Sequence, residues 1–177
     1  SVDVSYGGNF FAIIDSSSLS QSITKNRETE SFSRLGKKIR EIINEQEDIV
    51  HPQYPHIKDV SCVAFYDEQA IPEDSDADKF FRNVVTFGNG QVDRSPCGTG
   101  TCAKLAQLYG RGILKSSQKL SNESVIGTRF MGRIQEEIDV AGHRGIKPVI
   151  SGQANVTGYS TFVIDPNDFL KHGFVIV

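Results

Sequence analysis

Asp93-Arg94-Ser95-Pro96-Cys97-Gly98-Thr99-Gly100-Thr101 is the stretch on which the reading of the fold turns. It follows an apolar run, Val84 to Phe87, and precedes a segment of helical spacing that starts near Thr101. A cysteine is thereby placed on a tight corner between a strand and a helix. Gly98 and Gly100 let the backbone come close to a ligand. The first-turn amides of the helix are unpaired and electropositive, so a carboxylate fits against them. The same field lowers the pKa of a thiol, which predicts that Cys97 is partly thiolate near neutral pH. Pro96 fixes the start of the corner, and Asp93 offers a carboxylate for a cation. A thiolate, an anion cradle and a carboxylate together describe a site for an amino acid. Read as residues alone, the same stretch also suits a plain connection with a small buried cysteine.

Around this corner, 177 residues make one domain or slightly more, long enough to bury a core. A formal charge of −3 carries no nucleic-acid signature and no polybasic membrane signature. No apolar run reaches the length of a membrane span. The sequence opens at Ser1 directly in strand-like text without a signal-peptide pattern, which reads as a cut. Three cysteines without close spacing argue against a disulfide framework. Free thiols suit a reducing compartment, so a cytoplasmic location is expected.

Upstream of the corner, Val2 to Tyr6 alternates as a strand, Gly7-Gly8-Asn9 interrupts, and Phe10 to Ile14 resumes. Paired glycines there predict a bulge or a close backbone approach. Ser16 to Ser22 is a polar loop. Phe32, Leu35, Ile39, Ile42 and Ile43 recur at helical spacing and predict a helix from Ser31 to Glu47, with Glu28 and Glu30 suited to its dipole. Gly36 inside it points to a close approach of the helix to its neighbour. His51 to Ile57 is extended and proline-punctuated, and His51 and His56 lack a further ligand at zinc spacing. Val60 to Tyr66 is a buried strand with Cys62 in the core. Asp67 to Asp78 is a solvated acidic loop without the glycine and terminal glutamate of a calcium loop. Phe81 to Phe87 is the strand feeding the corner through a Gly88-Asn89-Gly90 turn.

Downstream, the helix after Thr101 uses Cys102, Ala103, Leu105, Ala106 and Tyr109 as apolar positions, exposes Lys104 and Arg111, and ends at Gly110 or Gly112. Strands are predicted at 125–130, 133–138, 147–150, 153–157, 161–164 and 174–177, with His143 and His172 on the surface. Two helices among many strands make an α+β fold with a curved sheet.

A single polarised thiol can attack a carbonyl, bind a metal or exchange a proton. Nucleophilic use pairs it with a histidine, and none lies in this motif. Proton exchange at an amino-acid α-carbon needs an acid/base on each face and stabilisation of the charge that develops on the carboxylate. No other cysteine of this chain sits on a comparable corner.

The contiguous motif from Asp93 to Thr101 resembles the second cysteine motif of the proline racemase and hydroxyproline epimerase family. Tyr6 to Ala12, His51 to Ile57 and the closing Asp165 to Phe174 are similar to family text as well. The resemblance covers essentially the whole chain. It implies a diaminopimelate-epimerase-like fold of two pseudo-symmetric halves, each a curved, mostly antiparallel sheet wrapped around a central helix. This chain resembles the second half only: residues 1–164 as the C-terminal-half domain and 165–177 as a segment that crosses to the first half. By the same resemblance Cys97 is one of two catalytic acid/bases, the Gly98 and Thr99 amides hold the substrate carboxylate, Asp93 takes the ring nitrogen, and Phe87 packs on the ring. Asn9 lies in the segment that lines the substrate region. A cysteine at 97 separates the chain from family dehydratases, which carry threonine there, while Cys102 departs from the usual serine or alanine.

The implied activity is cofactor-independent racemisation or epimerisation of proline or 4-hydroxyproline. It needs no pyridoxal phosphate and no metal. The expected partners are that small substrate, the missing first half and a second copy in a homodimer, with no nucleic acid and no membrane. The isolated chain is expected to be inactive. The competing readings are a non-catalytic amino-acid-binding or assembly domain and, more weakly, a cysteine hydrolase.

Overall fold

The structure is a computed structural model that describes residues 1–24 and 29–175. Glu28 and the last two residues of the strand predicted at 174–177 lie outside these.

The apolar runs on either side of the Gly7-Gly8-Asn9 break become β1 (Asp3–Tyr6) and β2 (Phe10–Asp15), an antiparallel pair. β2 is buried on both faces, which explains its unbroken apolar text: Phe11 and Ile13 enter one core cluster, Ala12 and Ile14 the other. A 3-10 turn at Ser16–Leu19, begun by Asp15, replaces part of the expected polar loop. The chain returns through α1 (Glu30–Gln46) to β3 (Val60–Glu68), parallel to β2. β4 (Lys79–Phe87) pairs antiparallel with β3 and turns at Gly88 into the short β5 (Gln91–Val92). Then α2 (Gly98–Gly110) crosses to β6 (Lys119–Glu123), parallel to β4, followed by the antiparallel strands β7 (Arg129–Val140) and β8 (His143–Ser151).

The sheet order β1-β2-β3-β4-β6-β7-β8, with β5 on β4, is mixed but mostly antiparallel. α2 packs against both edge strands, β1 and β8, as well as β2 and β7. The sheet must therefore curl around α2, the α+β arrangement expected. α1 lies outside, on β3 and β4. Its Phe32 is buried, and Leu35, Ile39 and Ile43 pack on that core, whereas Ile42 falls off the apolar stripe and is exposed.

Gly36 of α1 sits directly over β4. A Cβ there would stand 3.0 Å from Thr86 Cβ and closer still to its Oγ1. Gly36→Ala gains about 1 kcal/mol of helix propensity, but overpacking a rigid β-branched neighbour costs about 1–3 kcal/mol. The expected net result is a loss of about 1 kcal/mol in urea unfolding; equal or higher stability would contradict this packing.

Several expectations require correction. β6 was not predicted, because Lys119-Leu120-Ser121-Asn122-Glu123 reads as polar, yet Ser121, Asn122 and Glu123 are buried. Residues 125–128 form a turn, not a strand, and β7 runs unbroken through Gly132. His143 opens β8 instead of lying in a turn. The strands predicted at 153–157 and 161–164, and the described part of 174–177, are not strands; every residue from 151 to 175 is exposed. Apolar text alone does not make a strand where no neighbour supplies backbone partners. Finally, Lys104 is not exposed: only 7% of its surface is accessible.

Candidate active site

The corner is built from the end of β5 inwards. The Asp93 N–H donates to the Val85 carbonyl at 2.9 Å, which ties the corner to β4. Asp93 Oδ1 accepts from the Ser95 N–H at 2.8 Å and from Ser95 Oγ at 2.9 Å. Ser95 Oγ in turn accepts from the Cys97 N–H at 3.0 Å. The Pro96 carbonyl accepts from Asn83 Nδ2 at 2.8 Å, Asn122 Nδ2 at 3.0 Å and Thr101 Oγ1 at 3.3 Å. These restraints hold Cys97 at φ 64°, ψ 109°, a conformation that a side-chain-bearing residue rarely adopts and that costs on the order of 1–3 kcal/mol.

Cys97 is the N-cap of α2, which begins three residues earlier than predicted because Gly98, Thr99 and Gly100 form its first turn. Its Sγ accepts from the Gly100 N–H at 3.3 Å and lies 3.8 Å from Thr99 Oγ1. Its carbonyl accepts from the Thr101 N–H at 2.8 Å. The Gly98 and Thr99 amides have no protein partner among the described residues, as the first turn of a helix leaves them. Space is open where a Gly98 side chain would stand.

Of the other sequence-selected residues, Asn9 is carried to this corner, and Phe87 lies on the same side of the sheet. A Cβ on Gly7 would collide with the Thr99 carbonyl and the Ala103 amide, so the 7–9 turn lies flat on the start of α2 and brings the exposed Asn9 there. Ser5 Oγ fastens the approach by donating to the Ala103 carbonyl at 2.9 Å. Phe87, 42% exposed, ends β4 opposite Cys62, which lies beside Phe11 on β2. A Cβ on Gly100 would sit 3.3 Å from the Phe11 ring and 3.0 Å from Cys97 Sγ. By strand alternation Phe87 shares the α2-side face with Asn83 and Val85.

Sequence reasoning missed the supporting shell: Asn83 and Asn122 at 2% and 0% exposure, and Tyr66, whose hydroxyl donates to the Gly100 carbonyl at 3.0 Å. The one signal was Asn83 within strand text, a residue type depleted in strands; Asn122 lay in text that did not read as a strand.

One expectation about the corner is overturned. Cys97 is not partly thiolate near neutral pH. Burial pushes its thiol up to about 12, outweighing the Gly100 N–H that favours the anion, and Asp93 adds to the rise. Tyr66 is raised too, first by its own burial and then by Cys97. The helix field is present but does not compensate for the lost water.

This gives a prediction with a definite sign. The folded chain holds the Cys97 proton more tightly than the unfolded chain, so the associated stability is complete below the ordinary thiol value of 9.0 and is lost as pH rises towards about 12. The Cys97 share of thermal stability should be flat with pH up to about 9 and then fall, on top of a Tyr66 fall and an opposing Lys104 rise that the wild-type chain and Cys97→Ala have in common. Cys97→Ala should make the fall shallower, and an unchanged slope would count against a buried, protonated thiol.

A family model described as "Proline racemase" matches residues 1–175. A proline racemase of Clostridioides difficile is 49% identical over 174 residues, which cover 98% of this chain and 50% of that protein. A 4-hydroxyproline 2-epimerase of Shewanella loihica is 38% identical over 176 residues, 99% of this chain and 51% of the relative. The crystal structure of a hydroxyproline epimerase from Agrobacterium vitis, with bound trans-4-hydroxy-L-proline, superposes with a TM-score of 0.79 at 34% identity over 99% of this chain and 48% of that one. The chain thus spans about half the length of the relatives it matches.

Proposed function

The chain belongs to the proline racemase family, and we propose that it contributes one face of a cofactor-independent active site that inverts the α-carbon of proline or 4-hydroxyproline. One observation carries this reading: a sulfur capping α2 lies next to two unpaired amides, Gly98 and Thr99. The substrate carboxylate sits against those amides. Asp93 keeps one carboxylate oxygen for Ser95 and turns the other to the ring nitrogen. Phe87 and Asn9 border the ring.

In this reading Cys97 starts a turnover as the acid, because burial keeps it protonated. A base on the opposite face, supplied from outside these 177 residues, removes the α-proton. The electrons spread into the carboxylate, where the two amides stabilise the enediolate-like charge. Cys97 S–H then delivers its proton to the other face. The thiolate left behind accepts from the Gly100 N–H. Return in the other direction exchanges the two roles.

Residues 1–164 form the half-domain in this proposal, and 165–177 cross to the other half. Their apolar side chains, such as Phe169 at 89% and Phe174 at 65% exposure, support that assignment. Among the described residues β1 and β8 are the outer strands of the sheet, which leaves edges for a homodimer. The three free cysteines fit a cytoplasmic setting, and no helix among the described residues is long and apolar enough to cross a membrane.

The test is α-deuterium incorporation from deuterated water into L-proline or trans-4-hydroxy-L-proline by the full-length protein. The 177-residue chain alone is expected to give none. Absence of exchange from both substrates in the full-length protein would refute the reading. A second reading, a non-catalytic amino-acid-binding domain, is favoured by the 7% exposure of Cys97. Calorimetry with pyrrole-2-carboxylate separates the two: binding by this chain alone supports a binding domain, and binding only by the full-length protein supports a two-sided site.

A further inference from the structure

Lys104 lies two turns beyond the corner, roughly 10 Å from Cys97 along α2 by helical rise. It is 7% exposed, with Nζ 4.7 Å from the centre of the Tyr66 ring and 4.5 Å from that of Phe81. No carboxylate or carbonyl partners this amine among the described residues. The nearby acids are engaged elsewhere: Asp3 with Arg111 at 2.6 Å, Glu68 with Lys79 at 2.6 Å, and Asp15 with the Ser17 N–H at 2.9 Å. The amine faces a pocket of about 170 Å³ that Asp15, Tyr66, Phe81 and Gln107 also line. Gln107 Nε2 is held by Asp3, and its Oε1 is buried without a hydrogen-bond partner. Exposed Ser18 and Ile113 form part of the rim. The pocket therefore holds an amine that meets two ring faces and no oxygen among the described residues, with room for a few heavy atoms.

We propose that Lys104 is a nucleophilic amine which captures small, neutral aldehydes or ketones as an imine in this pocket. Three acids near the mouth, Asp3, Asp15 and Glu68, disfavour anionic electrophiles, and the volume excludes large ones. The amine lone pair adds to the carbonyl carbon. Water then leaves, carrying the carbonyl oxygen and the two amine hydrogens, and a C=N bond remains. Desolvation supports the free amine: burial brings Lys104 down to about 8, with Arg111 acting in the same direction and Asp15, Asp3 and Glu68 opposing. A lysine in dry surroundings is the usual basis of Schiff-base chemistry. This use is independent of the acid/base site.

The test treats the intact full-length protein at pH 7.0 with limiting formaldehyde and cyanoborohydride, which traps the imine as a methylated amine. Labelling rates are read for each lysine by peptide mass spectrometry. Lys37, Lys58 and Lys115 are exposed and serve as internal references. Lys104 is expected to label about ten-fold faster than their mean, since each unit of pKa changes the free-amine fraction ten-fold and the weaker base is somewhat less nucleophilic. In urea-unfolded protein the preference should vanish. A Lys104 rate equal to or below the reference mean would overturn the proposal, as would a preference that survives unfolding.

Discussion

Cys97→Ser in the full-length protein is expected to lower racemisation by about 10²–10⁴-fold, the contribution of a positioned general acid/base. A serine hydroxyl keeps the cap geometry, because an oxygen can still accept from the Gly100 N–H, but it is too weak an acid to exchange the α-proton. Folding should survive while kcat collapses. Cys62→Ser and Cys102→Ser provide the contrast. Both thiols are partly buried, neither caps α2, and both are raised by burial. Their replacement places a hydroxyl in apolar packing, so stability falls while kcat stays within a few-fold. Circular dichroism melts and initial rates on the three variants decide the matter. A comparable loss of rate in all three would remove Cys97 from its assigned role.

The largest stability effect is expected at Glu123. Its carboxylate is 1% exposed and takes Arg82 Nη2 at 2.8 Å and Arg82 Nε at 3.0 Å on one oxygen, with Arg129 Nε at 3.1 Å on the other. Arg82 also donates to the Ile23 carbonyl at 3.1 Å, which ties the loop before α1 to the sheet. Glu123→Ala leaves a mostly buried guanidinium uncompensated and should cost about 3–5 kcal/mol. Adding Arg82→Leu to Glu123→Ala should recover part of that loss, because the stranded charge goes with it. Chemical denaturation of the single and double variants checks both statements. A double variant no more stable than Glu123→Ala would show that the loss comes from a cavity and not from the charge.

Elements whose burial is decided locally were legible in the sequence. α1 lies half on the sheet and half in water, so its period showed, and its observed ends fall within one residue of those expected. β2 and much of β3 and β4 are covered on both faces, so their text is mostly apolar, broken in β4 by Arg82 and Asn83. β6 was illegible because its buried polar residues find partners distant in sequence: Glu123 in Arg82, and Asn122 Nδ2 in the Pro96 carbonyl. Lys104 looked like a solvent position for the same reason, since the rings that flank it come from β3 and β4. At the corner, unpaired first-turn amides facing the loop were readable from local helix geometry, but the helix was placed three residues too late, so Cys97 was not seen as its cap. The protonation of Cys97 was not readable, because it depends on Phe11, Tyr66 and other packing that only the folded chain supplies.

The contact of α2 with both margins of the sheet also governs how the chain must assemble. Ser5 meets Ala103 across 98 positions of sequence, and Arg144 Nη2 reaches the Tyr109 hydroxyl at 2.8 Å from the opposite side. Interior closure therefore waits for Ile146 and Ile150, which pack against the same cluster. During synthesis residues 1–100 leave the ribosome before β7 and β8, which complete the lining around α2. Such long-range closure places refolding towards the slow end for small proteins, on the order of milliseconds to seconds.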